Sequence, residues 1–130
     1  MIEKNIKKIA LVGAGDAAER FIKTIHESSL NSQFTFSYLF DDNKNKVGST
    51  IYGIKVVDII NNIHKYKDSF DEIVIAMPSS TDADFNTIYN ILLKTEKKIL
   101  TIPSLKEILK QPDSIISIRD IDIRDLIKRD

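Results

Sequence analysis

Ile6-Lys-Lys-Ile-Ala-Leu-Val12 runs directly into Gly13-Ala-Gly-Asp-Ala-Ala18, and this junction decides the fold. Ile6 to Val12 is short and rich in β-branched and aliphatic residues, so it reads as a buried strand. Ala17 to Glu27 places Ala17, Ala18, Phe21, Ile22 and Ile25 on one helical face. Between them lies G-x-G-x-x-A, directly after a strand and directly before a helix, the context that gives the motif meaning. Gly13 permits the tight turn, Gly15 lets a pyrophosphate approach the backbone, and Ala18 allows helix and strand to pack closely. The unpaired N–H groups of Asp16 to Ala18, at the positive end of the helix dipole, favour an anion. Asp16 is awkward there, because its carboxylate competes with a phosphate or caps the helix. The same turn also serves packing alone in doubly wound domains, so both uses stay open.

Outward from the junction, short apolar runs alternate with helical patterns. Phe34 to Phe40 is a second strand, after a loop at Leu30 to Gln33, and stops at the polar tract Asp41-Asp-Asn-Lys-Asn-Lys46. Val47 to Val57 reads as a loop with a short strand at Lys55 to Val57, and Ile59 to Tyr66 as a modest helix. Asp71 to Met77 suits a strand buried on both faces. Pro78-Ser-Ser-Thr-Asp82 supplies N-cap candidates for a helix over about Asp82 to Thr95. Lys98 to Ile102 is a further strand and Leu105 to Leu109 a short helix. The alternation implies parallel strands joined by right-handed helical crossovers. The expected fold is α/β, a doubly wound open parallel sheet of Rossmann-like order 3-2-1-4-5 with a C-terminal extension. The expected organisation is a nucleotide-binding domain over residues 1–112 and an extension over 113–130.

The carboxyl edge of such a sheet is where ligands bind. Asp41 and Asp42 close the second strand, where an acid accepts hydrogen bonds from a ribose diol and disfavours a 2′-phosphate. Asp41 lies 28 residues after Gly13, beyond the usual spacing of about 20. The alternative is a polar turn in which either acid caps the following loop. Met77, Pro78, Ser79 and Ser80 follow the fourth strand and are candidates to line the cleft. Pro103-Ser104 after the fifth strand reads better as helix punctuation. The candidate ligands are NAD or a UDP-type nucleotide.

Composition narrows the classes. The chain has 130 residues, one domain's worth, and no Cys, which excludes disulfides, thiolate metal sites and cysteine nucleophiles. Nineteen Lys plus Arg balance nineteen Asp plus Glu, against a nucleic-acid partner or an anionic membrane surface. Apolar runs fall far short of the ~20 residues of a transmembrane helix, and Met1 to Lys8 lacks a signal-peptide core. A cytoplasmic globular domain is expected. Ile fills 23 positions, in keeping with a sheet-containing fold. His26 and His64 have no partners at metal-ligand spacing. There is no G-x-S-x-G elbow and no phosphate-binding G-x-x-x-x-G-K-[ST] loop. A short-chain dehydrogenase needs Tyr and Lys four positions apart on one helix. Tyr38, Tyr52, Tyr66 and Tyr89 are followed at that offset by Asp42, Val56, Phe70 and Leu93.

Taken in order, several stretches resemble one family. They are Leu11-Val-Gly-Ala-Gly-Asp-Ala-Ala-Glu-Arg20, Leu39-Phe-Asp-Asp42, Tyr52-Gly-Ile-Lys-Val56, Glu72-Ile-Val-Ile-Ala-Met-Pro-Ser79, Leu100-Thr-Ile-Pro-Ser104 and Arg119-Asp-Ile-Asp-Ile-Arg-Asp-Leu-Ile-Lys-Arg129. Together they are similar to the N-terminal Rossmann-like, CoA-binding-type domain of bacterial polysaccharide-biosynthesis nucleotide-sugar dehydratases, the UDP-N-acetylglucosamine 4,6-dehydratase and epimerase relatives. The resemblance implies a non-catalytic module that follows membrane helices and precedes a catalytic NAD-holding domain. It would touch the membrane only through those helices. Family tails end Asp-Leu-Leu-Gly-Arg, whereas Ile127 and Lys128 stand here in place of the second Leu and the Gly.

The rival readings are a structural or assembly domain with a vestigial cleft, and the UDP-sugar-binding front domain of a nucleotide-sugar acetyltransferase. The latter calls for hexapeptide repeats that the chain lacks. Seven large apolar residues among Ser114 to Asp130 predict that the tail packs on the sheet edge, across a homodimer, or back on its own core. Without a Tyr/Lys pair, the chain alone is expected to form no 4-keto sugar from UDP-N-acetylglucosamine and NAD. Turnover that persists through repurification would overturn that expectation.

Overall fold

The computed structural model describes residues 6–77, 81–102 and 119–120. The first strand, β1 (Lys7–Val12), passes through Gly13 into helix α1 (Asp16–Glu27). Strand β2 (Phe34–Phe40) follows, then a hairpin of β3 (Thr50–Ile51) and β4 (Ile54–Asp58), then β5 (Glu72–Ile75). Helix α2 (Asp82–Leu93), β6 (Lys98–Thr101) and β7 (Arg119–Asp120) complete the described elements. The sheet order is β3-β4-β2-β1-β5-β6-β7. Neighbours from β4 to β6 are parallel, whereas β3 and β7 join their edges antiparallel. The five parallel strands follow the expected order 3-2-1-4-5.

Period-two alternation explains how one sheet supports two layers. Ile9 and Leu11 of β1, Leu39 of β2, Val74 of β5 and Leu100 of β6 share a cluster with Ala18, Phe21, Ile22 and Ile25 of α1. Ala10 and Val12, Phe40, Ile73 and Ile75, and Ile99 enter the opposite cluster with Phe85, Ile88, Tyr89 and Leu92 of α2. Thr81 caps α2 by accepting the Asp84 N–H at 3.1 Å, so the polar stretch before this helix does supply its N-cap.

Three segments depart from expectation. Leu30 to Gln33 is not all loop, since Ser29–Ser32 is a 3-10 turn. The loop at Val47 to Val57 closes as the β3–β4 hairpin, with Tyr52 and Gly53 at φ 50° and 80° in its turn. The expected helix at Ile59 to Tyr66 is a 3-10 helix over Ile60–Ser69. Its apolar residues Ile60, Ile63 and Tyr66 recur every third position, which aligns them on one edge of a three-residue turn. The expected helix at 105–109 lies outside the described residues. Of the expected extension over 113–130, Asp120 pairs with Leu100 beside Arg119 on Thr101, at the sheet edge.

Asp58 fastens the 3-10 helix to β4. Its carboxylate accepts the Ile59 N–H at 2.7 Å, the Asn62 amide at 2.9 Å and the Tyr66 hydroxyl at 2.9 Å. Burial pushes the carboxyl up, but those three donors and the charge of Lys65 outweigh it and hold its pKa below the ordinary value. The Tyr66 hydroxyl, donating to that charge, is raised. A depressed carboxyl stabilises the fold above its unfolded pKa and loses that contribution as pH falls through the folded one. Asp58→Ala is therefore expected to cost about 1–2 kcal/mol in denaturant unfolding at pH 7. The difference from the native chain should shrink as pH is lowered below the ordinary carboxyl range.

Candidate functional site

The carboxyl ends of β1, β2 and β5 meet around Gly13. Its N–H donates to Phe40 O at 2.7 Å and so carries the β1–β2 ladder one residue further. At φ 103°, a Cβ on Gly13 would lie 2.7 Å from Met77 Cγ and 2.8 Å from Ala76 O. This glycine thus serves the turn and also the contact with the end of β5. Ala14 is buried, and Ala18, fully buried, packs with the sheet residues of the α1-side core.

Gly15 stands at the N-cap of α1 in extended backbone and offers no capping side chain. The N–H groups of the first turn have no partner within a helix. Among the described residues a Cβ on Gly15 would meet only Lys46 Nζ, at an ordinary contact distance of 3.9 Å. Asp16 is exposed and Ala17 half-buried in that first turn.

The two acids after β2 act on backbone. Asp41 Oδ2 accepts the Ala14 N–H at 2.8 Å and Oδ1 accepts the Asn43 N–H at 2.8 Å. Asp42 Oδ1 accepts the Ile60 N–H at 3.1 Å. Asp41 is thus brought onto the glycine turn, whereas Asp42, exposed, ties the loop to the 3-10 helix. Met77 packs beside Gly13, and Pro78, Ser79 and Ser80 lie outside the described residues.

Lys46 was not among the residues singled out from sequence. Its ammonium donates to Ala14 O at 3.2 Å, so the Ala14 peptide is held by Asp41 at its N–H and Lys46 at its carbonyl. The route is local: Asn43 Oδ1 accepts the Asn45 N–H at 2.9 Å and Asn43 O accepts the Lys46 N–H at 2.9 Å. The Asp/Asn spacing of the tract carries the signal for those turns, but a contact spanning 32 residues leaves no local trace.

His26 and His64 are exposed. Among the described residues no group of three or more His, Asp or Glu could hold a metal, and no helix is long and apolar enough to cross a membrane. A groove of about 540 Å³ opens at the opposite, amino edge of the sheet, between Ile6, His26, Phe34, Phe36, Tyr52 and Ile54. It is remote from the glycine turn.

No family model matches the chain, and no curated protein does. Solved structures match well. The crystal structure of UDP-D-quinovosamine 4-dehydrogenase from Vibrio fischeri superposes with a TM-score of 0.78 at 24% identity, covering 93% of this chain and 98% of that one. The fold is Rossmann-like. RSP, a Rex-family repressor, in complex with β-NADH matches at TM-score 0.60 and 18% identity, over 72% of this chain and 44% of that one. S. aureus homoserine dehydrogenase matches at TM-score 0.55 and 22% identity, over 84% of this chain and 29% of that one. The chain thus spans less than half of the last two.

The two glycines should separate on substitution. Gly13→Ala combines backbone strain with a clash against Ala76 and is expected to destabilise by at least about 2 kcal/mol. Gly15→Ala is expected to stay within about 1 kcal/mol of the native chain. Equal melting of the two variants would contradict the geometry.

Proposed function

We propose that this chain is a non-catalytic nucleotide-binding module of a nucleotide-sugar-modifying protein in bacterial surface polysaccharide biosynthesis. The ligand is NAD or a UDP-type nucleotide, including UDP-sugars. The observation that carries the reading is the uncapped start of α1, where a Cβ on Gly15 would meet, among the described residues, only Lys46 Nζ at 3.9 Å. Backbone N–H groups and the helix dipole there suit a phosphate. Asp41 stands beside the turn, and each of its oxygens retains a lone pair for a ribose hydroxyl after accepting one N–H. Met77 follows β5 at the same edge.

Two likenesses support the biological setting. The sequence resembles the front domain of 4,6-dehydratases and epimerases, and a neighbour that it covers almost completely is a UDP-D-quinovosamine 4-dehydrogenase. A parent with a separate catalytic domain fits the missing Tyr/Lys pair. The second reading, an assembly domain with a vestigial cleft, draws on Asp41 and Asp42 both being engaged with backbone N–H groups.

Calorimetric titration with NAD, UDP, UDP-N-acetylglucosamine and CoA separates the two. Binding is expected for a nucleotide and is expected to vanish in Gly15→Val, whose side chain fills the phosphate approach while the fold persists. No heat from any of the four would favour the assembly domain. Equal binding by Gly15→Val would move the phosphate site elsewhere.

A further inference from the structure

The groove at the amino edge of the sheet has a structural cause. Among the described elements no α-helix joins β2 to β4, so α1 alone covers that face. It reaches β2 at Phe36, whose ring meets Phe21 edge-on at 5.9 Å. Past that contact Phe34, Phe36 and Ile54 are only half-buried and form an apolar floor. His26, Asn31 and Thr35, all exposed, add polar groups to the lining. Ile6 and Tyr52 complete it, and they are two of the three large apolar side chains exposed among the described residues.

Tyr52 is the residue out of place. It and Gly53 both lie at positive φ, 50° and 80°, in the two-residue turn between β3 and β4. Such a turn favours Asn-Gly, and a tyrosine at its first position holds a strained backbone. Asn would serve the hairpin better. The turn instead presents an aromatic ring to solvent beside a hollow of about 540 Å³. That hollow suits a phenol, with an apolar floor for the ring and a polar group for the hydroxyl. Asn31 donates its amide to the His26 carbonyl at 3.1 Å, which leaves its Oδ1 to accept.

We propose that this groove is a self-association surface, where Tyr52 of each copy enters the hollow of a second copy of this chain, over Phe34, Phe36 and Ile54. Knob and hollow lie on one patch, as a two-fold interface requires, since every contact in it is made twice. Charge points to the same occupant. Residues near a two-fold axis meet their own copies, so a charged lining would repel itself. This lining holds no Lys, Arg, Asp or Glu, and a partner of opposite charge has nothing to grip there. The surface lies at the edge opposite the glycine turn, so pairing does not depend on what the cleft binds.

The test is sedimentation of the full chain, native and as Tyr52→Asn, Tyr52→Phe and Thr35→Glu. The native chain is expected to pass from monomer to dimer mass between about 1 and 500 μM. Tyr52→Asn removes the ring and relieves the turn, so it should weaken association at least about tenfold. At about 1 μM, where no dimer contributes, it should melt at or above the native temperature. Tyr52→Phe keeps the ring and should weaken association only about threefold. Thr35→Glu, at an exposed position, sets like charges in the interface and should weaken it at least about tenfold. A native chain that stays monomeric throughout would overturn the proposal. So would a folded Tyr52→Asn or Thr35→Glu that pairs as tightly as the native chain. A Tyr52→Asn that melts well below the native chain would overturn it too, by showing that Tyr52 serves the hairpin.

Discussion

The backbone of β1 can meet the end of β5 only because residue 13 has no side chain. Gly13 sits where a Cβ would press into Ala76 O, in a backbone conformation that L side chains rarely adopt. That contact lets the central strand turn outward at the point where its two neighbours diverge. The Gly13 N–H still reaches Phe40, so β2 stays paired to the last residue of the strand. From there α1 starts over one face of the sheet, and Ala18, also small, lets it settle on Leu11, Val74 and their neighbours.

Much of this was legible. Ile9, Ala10, Leu11 and Val12 are all buried because β1 is covered on both faces, and continuous burial gives a continuous apolar run. The glycine turn declared its context through the strand before it and the helical face after it. What stayed hidden depended on partners far along the chain. The 3-10 helix at Ile60–Ser69 shares its Ile and Tyr content with an α-helical pattern. The anchoring by Asp58, with Asp42 holding the Ile60 N–H, selects the tighter turn. Tyr52 at positive φ gives no sign in its own residue type. Gly53 and the flanking isoleucines mark the hairpin instead.

The acids after β2 show how one residue type serves two readings. An Asp at the end of β2 fits a ribose partner by position, and the same position suits an acceptor for the Ala14 and Asn43 N–H groups. The structure places Asp41 in the second role, and its spare lone pairs leave the first available. Asp42 differs by one residue and therefore points to another element, the N–H of Ile60, where it joins the cleft's rim to the layer that carries Tyr66 and Phe70. Loss of either acid would thus be felt in folding as well as in binding, which makes both poor probes of function.

Function is better argued from residues that the fold can spare. Gly13 is required by Ala76, Ala18 by the sheet, Asp41 by the Ala14 and Asn43 amides, and Asp42 by Ile60. Gly15 differs, because its backbone is extended and a Cβ there would meet, among the described residues, only Lys46 Nζ at ordinary contact distance. A side-chain cap such as Ser or Asp at that place would stabilise α1 more than Gly does. Lys46 is a mixed case, because its ammonium holds the Ala14 carbonyl while a cation beside the start of α1 works against the helix dipole. On the nucleotide-binding reading proposed above, an anion would take the place of the absent cap.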